Sequence, residues 1–343
     1  MRRIDSVDTI RLVAIVAVIS IHTAPFAYIE SGGELYFYLS VAINQLARFA
    51  VPFFFVISGY FWGRKMRDCP DQANTTQQLL KRVLIILVGW SLIFLLPYNI
   101  STMIEYGLLE SINKSYQNLI YLLQNPIVLL LQGTTEHLWF LVSLVFSVVI
   151  CYFFVQQKAF KVLIFMSVTL YVIGVLLKAY ALTPIGMVVD FNTRNGPFFS
   201  TVFFVSGYFL SSSTPSSNWF YYGGAMFIFG CALHFCEIFY LNKYFGTFIA
   251  QDYVFGTFFM GIGMAVISLS NHVILRVRSF GSIGRMTLGI YAIHVIFIEL
   301  LRPLDFALTS AMWEIGFVFI VLLLSIISTH ALSKFKLTKR MVL

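Results

Sequence analysis

Long apolar runs recur along the whole chain, each closed by a short polar stretch, and that pattern leaves few folds open. A bilayer core about 30 Å thick takes roughly 20 apolar residues per helix. Only helices and closed barrels satisfy their backbone hydrogen bonds inside it. Ten blocks approach helix length: 11–28, 37–62, 83–98, 137–156, 160–180, 196–212, 219–240, 251–270, 285–301 and 311–330. The expected fold is all-α: a polytopic integral membrane protein with about ten transmembrane helices in a single domain, 1–343. Charged residues make up 11% of the chain, well below the quarter or so usual in soluble domains. A shorter block, 119–131, contains Pro126 and reads as an interfacial or re-entrant element.

The first block follows Met1-Arg2-Arg3, as a signal peptide would. It holds Arg11 and His22, however, and no small-x-small cleavage site precedes Glu30, so it reads as a retained helix. The basic residues orient the spans. With both termini cytoplasmic, sixteen Lys and Arg fall on the inner side, including the clusters Arg64–Arg67 and Lys334–Arg340. Five fall outside: Lys114, Lys178, Arg194, Lys243 and Arg302. The net charge of +8 then faces anionic lipid rather than nucleic acid. The four cysteines and six histidines show no metal-ligand spacing, so no metal and no tightly bound cofactor are expected.

Ionisable groups at membrane depth are costly and point to function. Asp8, Arg11 and His22 share one face of the first helix. At 100° per residue, Arg11 and His22 lie about 20° apart in azimuth. At 1.5 Å per residue they stand roughly 16 Å apart along the axis. That spacing suits a long anionic ligand, with arginine gripping phosphate at the mouth and histidine taking a proton deeper in. The bland alternative is a snorkelling arginine and a histidine that only bonds another helix. Arg48 lies near the middle of the second span and needs a partner or a wet cavity. Pro52 lacks the N–H that would meet the Arg48 carbonyl, which favours a kink. Ser58-Gly59-Tyr60 follows, where Gly59 suits close helix packing. Glu136, His137 and Trp139 open the fourth span, the tryptophan reading as an interface anchor and the other two as contacts for an acceptor arriving from outside. His294, with Glu299 further out, is placed to line the same cavity. His234 and Glu237 form a similar but less specific pair, and His272 and His330 sit at cytoplasmic ends.

Taken in order, these fragments resemble the membrane acyltransferase 3 family of bacterial inner-membrane enzymes. They are Asp8-x-x-Arg11-x-x-Ala14 leading to His22; Arg48, Pro52, an aromatic run and Ser58-Gly59-Tyr60; His137-Leu138-Trp139-Phe140-Leu141; and Leu288-Gly289-Ile290-Tyr291 before His294. The resemblance runs through nearly the whole chain, and most in character to the small single-domain type that acetylates enterobacterial common antigen. Leu12 stands where the family usually has glycine. The resemblance implies O-acyl transfer, usually of acetyl, from cytoplasmic acyl-CoA to a saccharide or lipid-linked saccharide. It places His22, Arg11 and Arg48 in the active centre, and the depth of His294 in the ninth span adds that residue to the catalytic set. Arg11, Asp8, Ser58 and Tyr60 fall on the donor side, and His137, Trp139 and Glu136 on the acceptor side. A transporter or flippase would use the same intramembrane charges, although no half-to-half repeat is evident. Nothing in the residues fixes the acceptor, the acyl length or the oligomeric state.

Overall fold

The computed structural model describes residues 4–27, 29, 33–308 and 310–342. Arg2, Arg3, position 28 at the end of the first expected span, and Glu30 lie outside the described residues. The described chain is helical, without a strand. Each expected span overlaps one apolar helix or pair of helices: α1 (Asp5–Thr23), α2 and α3 (Gly33–Leu46, Ala50–Asp68), α4 (Gln72–Ile93), α8 (Trp139–Gln156), α9 (Phe160–Leu176), α10 (Pro197–Leu210), α11 (Trp219–Phe245), α12 (Phe255–Leu269), α13 (Gly281–Ala307) and α14 (Ala311–Ser333). Between α4 and α8 run α5 (Ile100–Tyr106), α6 (Leu108–Gln124) and α7 (Pro126–Gln132); α15 (Lys336–Val342) closes the chain. Among the described residues, seven helices are long and apolar enough to cross a membrane, α2 and α3 counting as one; α9, α10 and α12 are apolar but shorter.

Some boundaries differ from the sequence reading. Helix α4 starts eleven residues before the apolar block at 83, because the Asp71 carboxylate caps it by accepting the Asn74 N–H at 2.9 Å. The 119–131 block is two helices, split at Asn125-Pro126, where Pro126 takes the first helical position. The short helices have a structural consequence. Fourteen residues make α10 only about 21 Å long, and irregular backbone runs through 177–196 before it and 246–254 before α12. Such backbone is stable at membrane depth only where protein buries it or it lines a cavity.

Lipid tails give apolar side chains no incentive to leave them, so the helices associate by close packing at small residues. Helices α3 and α10 cross at Gly59 and Gly207: a Cβ on Gly59 would strike the Phe204 carbonyl oxygen, and one on Gly207 the Val56 carbonyl oxygen. Neither obstacle can rotate away. Gly59→Val is therefore expected to cost about 2–3 kcal/mol through overpacking, read as a lower melting temperature of the purified protein in detergent. An unchanged melting curve would show that the crossing is looser than described.

Candidate active site

Irregular backbone brings the chemistry together. The Tyr253 and Thr193 hydroxyls meet at 2.7 Å, and Thr193 also donates to the Gly174 carbonyl at 2.9 Å. Tyr171 donates to the Val254 carbonyl at 2.7 Å. These bonds tie the 177–196 segment to the 246–254 segment, so that Arg194 and Asp252, each one residue away from the Thr193–Tyr253 contact, face one another. Asp252 receives Arg194 at 3.3 Å, Arg48 at 3.0 Å and Lys178 at 3.1 Å. Arg194 also reaches Glu136 at 2.8 Å.

Arg48 sits in a 3-10 turn, Ala47–Phe49, between α2 and α3. Its guanidinium is held on a second side by Asn44 Oδ1, at 3.2 Å from Nε and 2.9 Å from an Nη. The chain of bonds continues inward. Gln45 donates to the same Asn44 oxygen at 2.8 Å, and its own carbonyl oxygen lies 2.9 Å from His234 Nε2. Since an amide oxygen only accepts, His234 carries its proton on Nε2, and Nδ1 accepts from the Thr257 hydroxyl at 3.0 Å. His234 is thus a fully bonded, buried support for Arg48. Glu237 supports the neighbouring helix start, accepting the N–H groups of Phe255 and Gly256 at 3.2 and 2.6 Å.

Three further histidines converge. The His22 and His294 rings lie 5.1 Å apart between centroids, and His294 and His137 lie 5.8 Å apart. His22 occupies the last turn of α1, closer to the helix end than a span of 11–28 suggests. Its environment differs from the other two: His22 is exposed, whereas His137 and His294 are buried. His294 Nδ1 lies 2.6 Å from the Tyr291 carbonyl, which fixes the proton on Nδ1. Its Nε2 has no partner, and neither does Nε2 of His137. Among the described residues, no three His, Cys, Asp or Glu side chains are arranged to hold a metal ion.

Two cavities meet here. A cavity of about 460 Å³ has Arg11, Arg82 and Arg285 on its wall, with Ser58 and Thr287. A smaller one, about 50 Å³, is lined by His22, Arg48, His137, Arg194 and Asp252. Both share Val18, Val51, Phe140 and Tyr291 as wall, so the shared face of Arg11 and His22 fronts two adjoining spaces. Asp8 lies outside the larger cavity's wall and bridges to Arg11 at 3.2 Å, reaching it beside Gly284, where a Cβ would collide with the carboxylate.

Two placements correct the sequence reading. Trp139 is no interface anchor: it is 7% exposed, packed between Phe55 and Phe199, with the Arg194 guanidinium 4.8 Å above its ring. The Tyr60 side chain is buried off the larger cavity, its hydroxyl accepting from Arg64 at 3.0 Å. Sequence reasoning missed Asp252, Asn44, Gln45, Arg82 and Arg285 as site residues, and counted Arg194 and Lys178 only as outer charges.

Residues 4–330 match the family described as an acyltransferase domain, the acyltransferase 3 family. The chain belongs to this family. Similar curated proteins include two amino-acid racemases of Enterococcus faecalis, 27% identical over 223 residues and 29% identical over 221. A serine/alanine racemase of Enterococcus gallinarum is 26% identical over 214 residues. These matches cover 61%, 60% and 59% of this chain, but the chain spans less than a third of the length of each relative. No solved structure matches.

Proposed function

We propose that this acyltransferase-family chain moves an acyl group, acetyl being the expected one, from acyl-CoA to a saccharide or lipid-linked saccharide hydroxyl. The observation that carries this reading is the exposed His22 edge beside the wall common to two cavities. One cavity carries three guanidiniums on its wall, a match for the phosphates of coenzyme A. The other carries Arg48, placed to receive negative charge on a thioester oxygen. His22 takes the acceptor hydroxyl proton as that oxygen attacks the thioester carbon. The carbon–sulfur bond then breaks and coenzyme A leaves as the thiolate. His294, with Nε2 free and its ring against His22, orients the base.

The same proposal has ten crossings, both termini in the cytoplasm and residence in a bacterial inner membrane, with an acceptor of the enterobacterial-common-antigen kind. A cysteine near position 33 should react with an impermeant thiol reagent in intact cells and one near position 73 should not; the reverse pattern would refute the orientation. The activity is tested with purified protein in liposomes, radiolabelled acetyl-CoA inside and saccharide outside. Acetyl incorporation supports it, and substrate flux without acetylation favours a transporter. Arg11→Ala should raise the donor KM about tenfold or more, the cost of one charge-assisted hydrogen bond. Unchanged donor kinetics in a folded variant would remove Arg11 from the donor site.

A further inference from the structure

A cavity of about 250 Å³, separate from the two already described, lies between the link from α4 to α5, one face of α6 and the stretch 132–136. Its wall carries the planar amides of Asn99, Asn118 and Gln132 and the phenol rings of Tyr98 and Tyr121. Most of this hydrogen-bonding capacity is unspent. Asn118 makes one long bond, 3.4 Å to the Thr134 carbonyl, Gln132 accepts one at 3.4 Å from Asn195, and the hydroxyl of Thr135 in the same wall has no partner at all. Unlike the arginine-lined cavity, this one has one charge of each sign on its wall: Lys114, which donates to the Thr102 hydroxyl at 3.2 Å, and Glu136, which is engaged by Arg194.

Amides and hydroxyls that both donate and accept are what sugar hydroxyls require, and flat aromatic faces suit the C–H faces of a pyranose. The volume lies below the roughly 300–1,000 Å³ of drug-sized pockets, which fits one ring rather than a chain of them. Phe94 forms part of the wall and packs on His137 at 4.7 Å, and His137 leads to His294 and His22. One aromatic layer therefore separates this cavity from the histidines.

We propose that the cavity beside α6 is a glycosyl subsite that holds an uncharged pyranose unit of the acceptor, next to the unit that is acylated. The proposal rests on the acyltransferase reading for the word acceptor, but binding at the site needs no donor. The test is saturation-transfer NMR of the full-length protein in detergent with methyl β-glucoside and methyl β-N-acetylglucosaminide, no acyl-CoA being present. Saturation transfer is expected to at least one glycoside. It should fall at least fivefold in Tyr121→Ala and Asn118→Leu and persist in Tyr121→Phe, whose ring guards against reading misfolding as lost binding. No transfer to either glycoside, or equal transfer in the wild type and both disruptive variants, overturns the subsite. Binding without any acyl transfer from acyl-CoA would sink the acyltransferase reading and leave the subsite standing. Acylation of a saccharide unaffected by either substitution would do the opposite.

Discussion

His22→Ala is expected to lose about 10²–10⁴-fold of acyl transfer, the usual cost of removing a positioned general base, while donor binding stays near wild type. Three histidines cluster at the site, so the assignment needs a reason to prefer one. His22 is the member that is exposed, on the wall of the small cavity with Arg48. His294 is fully buried and its Nδ1 proton is committed to the Tyr291 carbonyl. A group without access to substrate cannot take its proton directly, so His294→Ala should slow transfer by disturbing the His22 ring. The measurement is single-turnover transfer by both purified variants with donor binding in parallel. Near wild-type transfer by His22→Ala, with His294→Ala inactive, would move the base to His294.

Asp252→Ala is expected to destabilise the protein by at most about 3–5 kcal/mol, the range for removing one partner from a fully buried ion pair, because this carboxylate is partly exposed. Here the loss leaves Arg48, Arg194 and Lys178 facing each other without their shared carboxylate. Arg48 keeps its bonds to Asn44, so its side chain should stay in place better than that of Lys178, for which Asp252 is the ion-pair partner. Asp252→Asn preserves shape and some hydrogen bonding and should fall between the two. Thermal unfolding in detergent reads the series. A melting temperature for Asp252→Ala within a degree of wild type would mean that water or lipid headgroups already neutralise the three cations.

The sequence made some of this legible and hid the rest for a physical reason. Periodicity along one helix is local, so the common face of Asp8, Arg11 and His22 could be read directly from spacing, as could the break near Arg48 from the proline four residues on. The partner of Arg48 is 204 positions away on irregular backbone, where no period operates. A signal was nonetheless present: Arg48 required a counterion, and Asp252 stands at the very start of the apolar block 251–270. Hydropathy also misjudged α4, whose first turns are polar yet helical because a cap rather than lipid starts them. Trp139 misled because tryptophan at a span end usually marks the interface, whereas here a loop arginine covers it.

The wall common to the two main cavities has an electrical consequence. Phe140 and Tyr291, 5.3 Å apart between ring centroids, belong to both. If, under the orientation proposed above, the donor enters one cavity from the cytoplasm and the acceptor enters the other from outside, the insulating part of the membrane narrows to little more than one layer of rings. Most of the transmembrane voltage then drops across that layer. An elementary charge carried through the full voltage changes energy by about 2.3 kcal/mol per 100 mV. The fate of the proton taken up by His22 would therefore depend on membrane energisation: release to the outer face and release to the cytoplasm are separated by up to that amount.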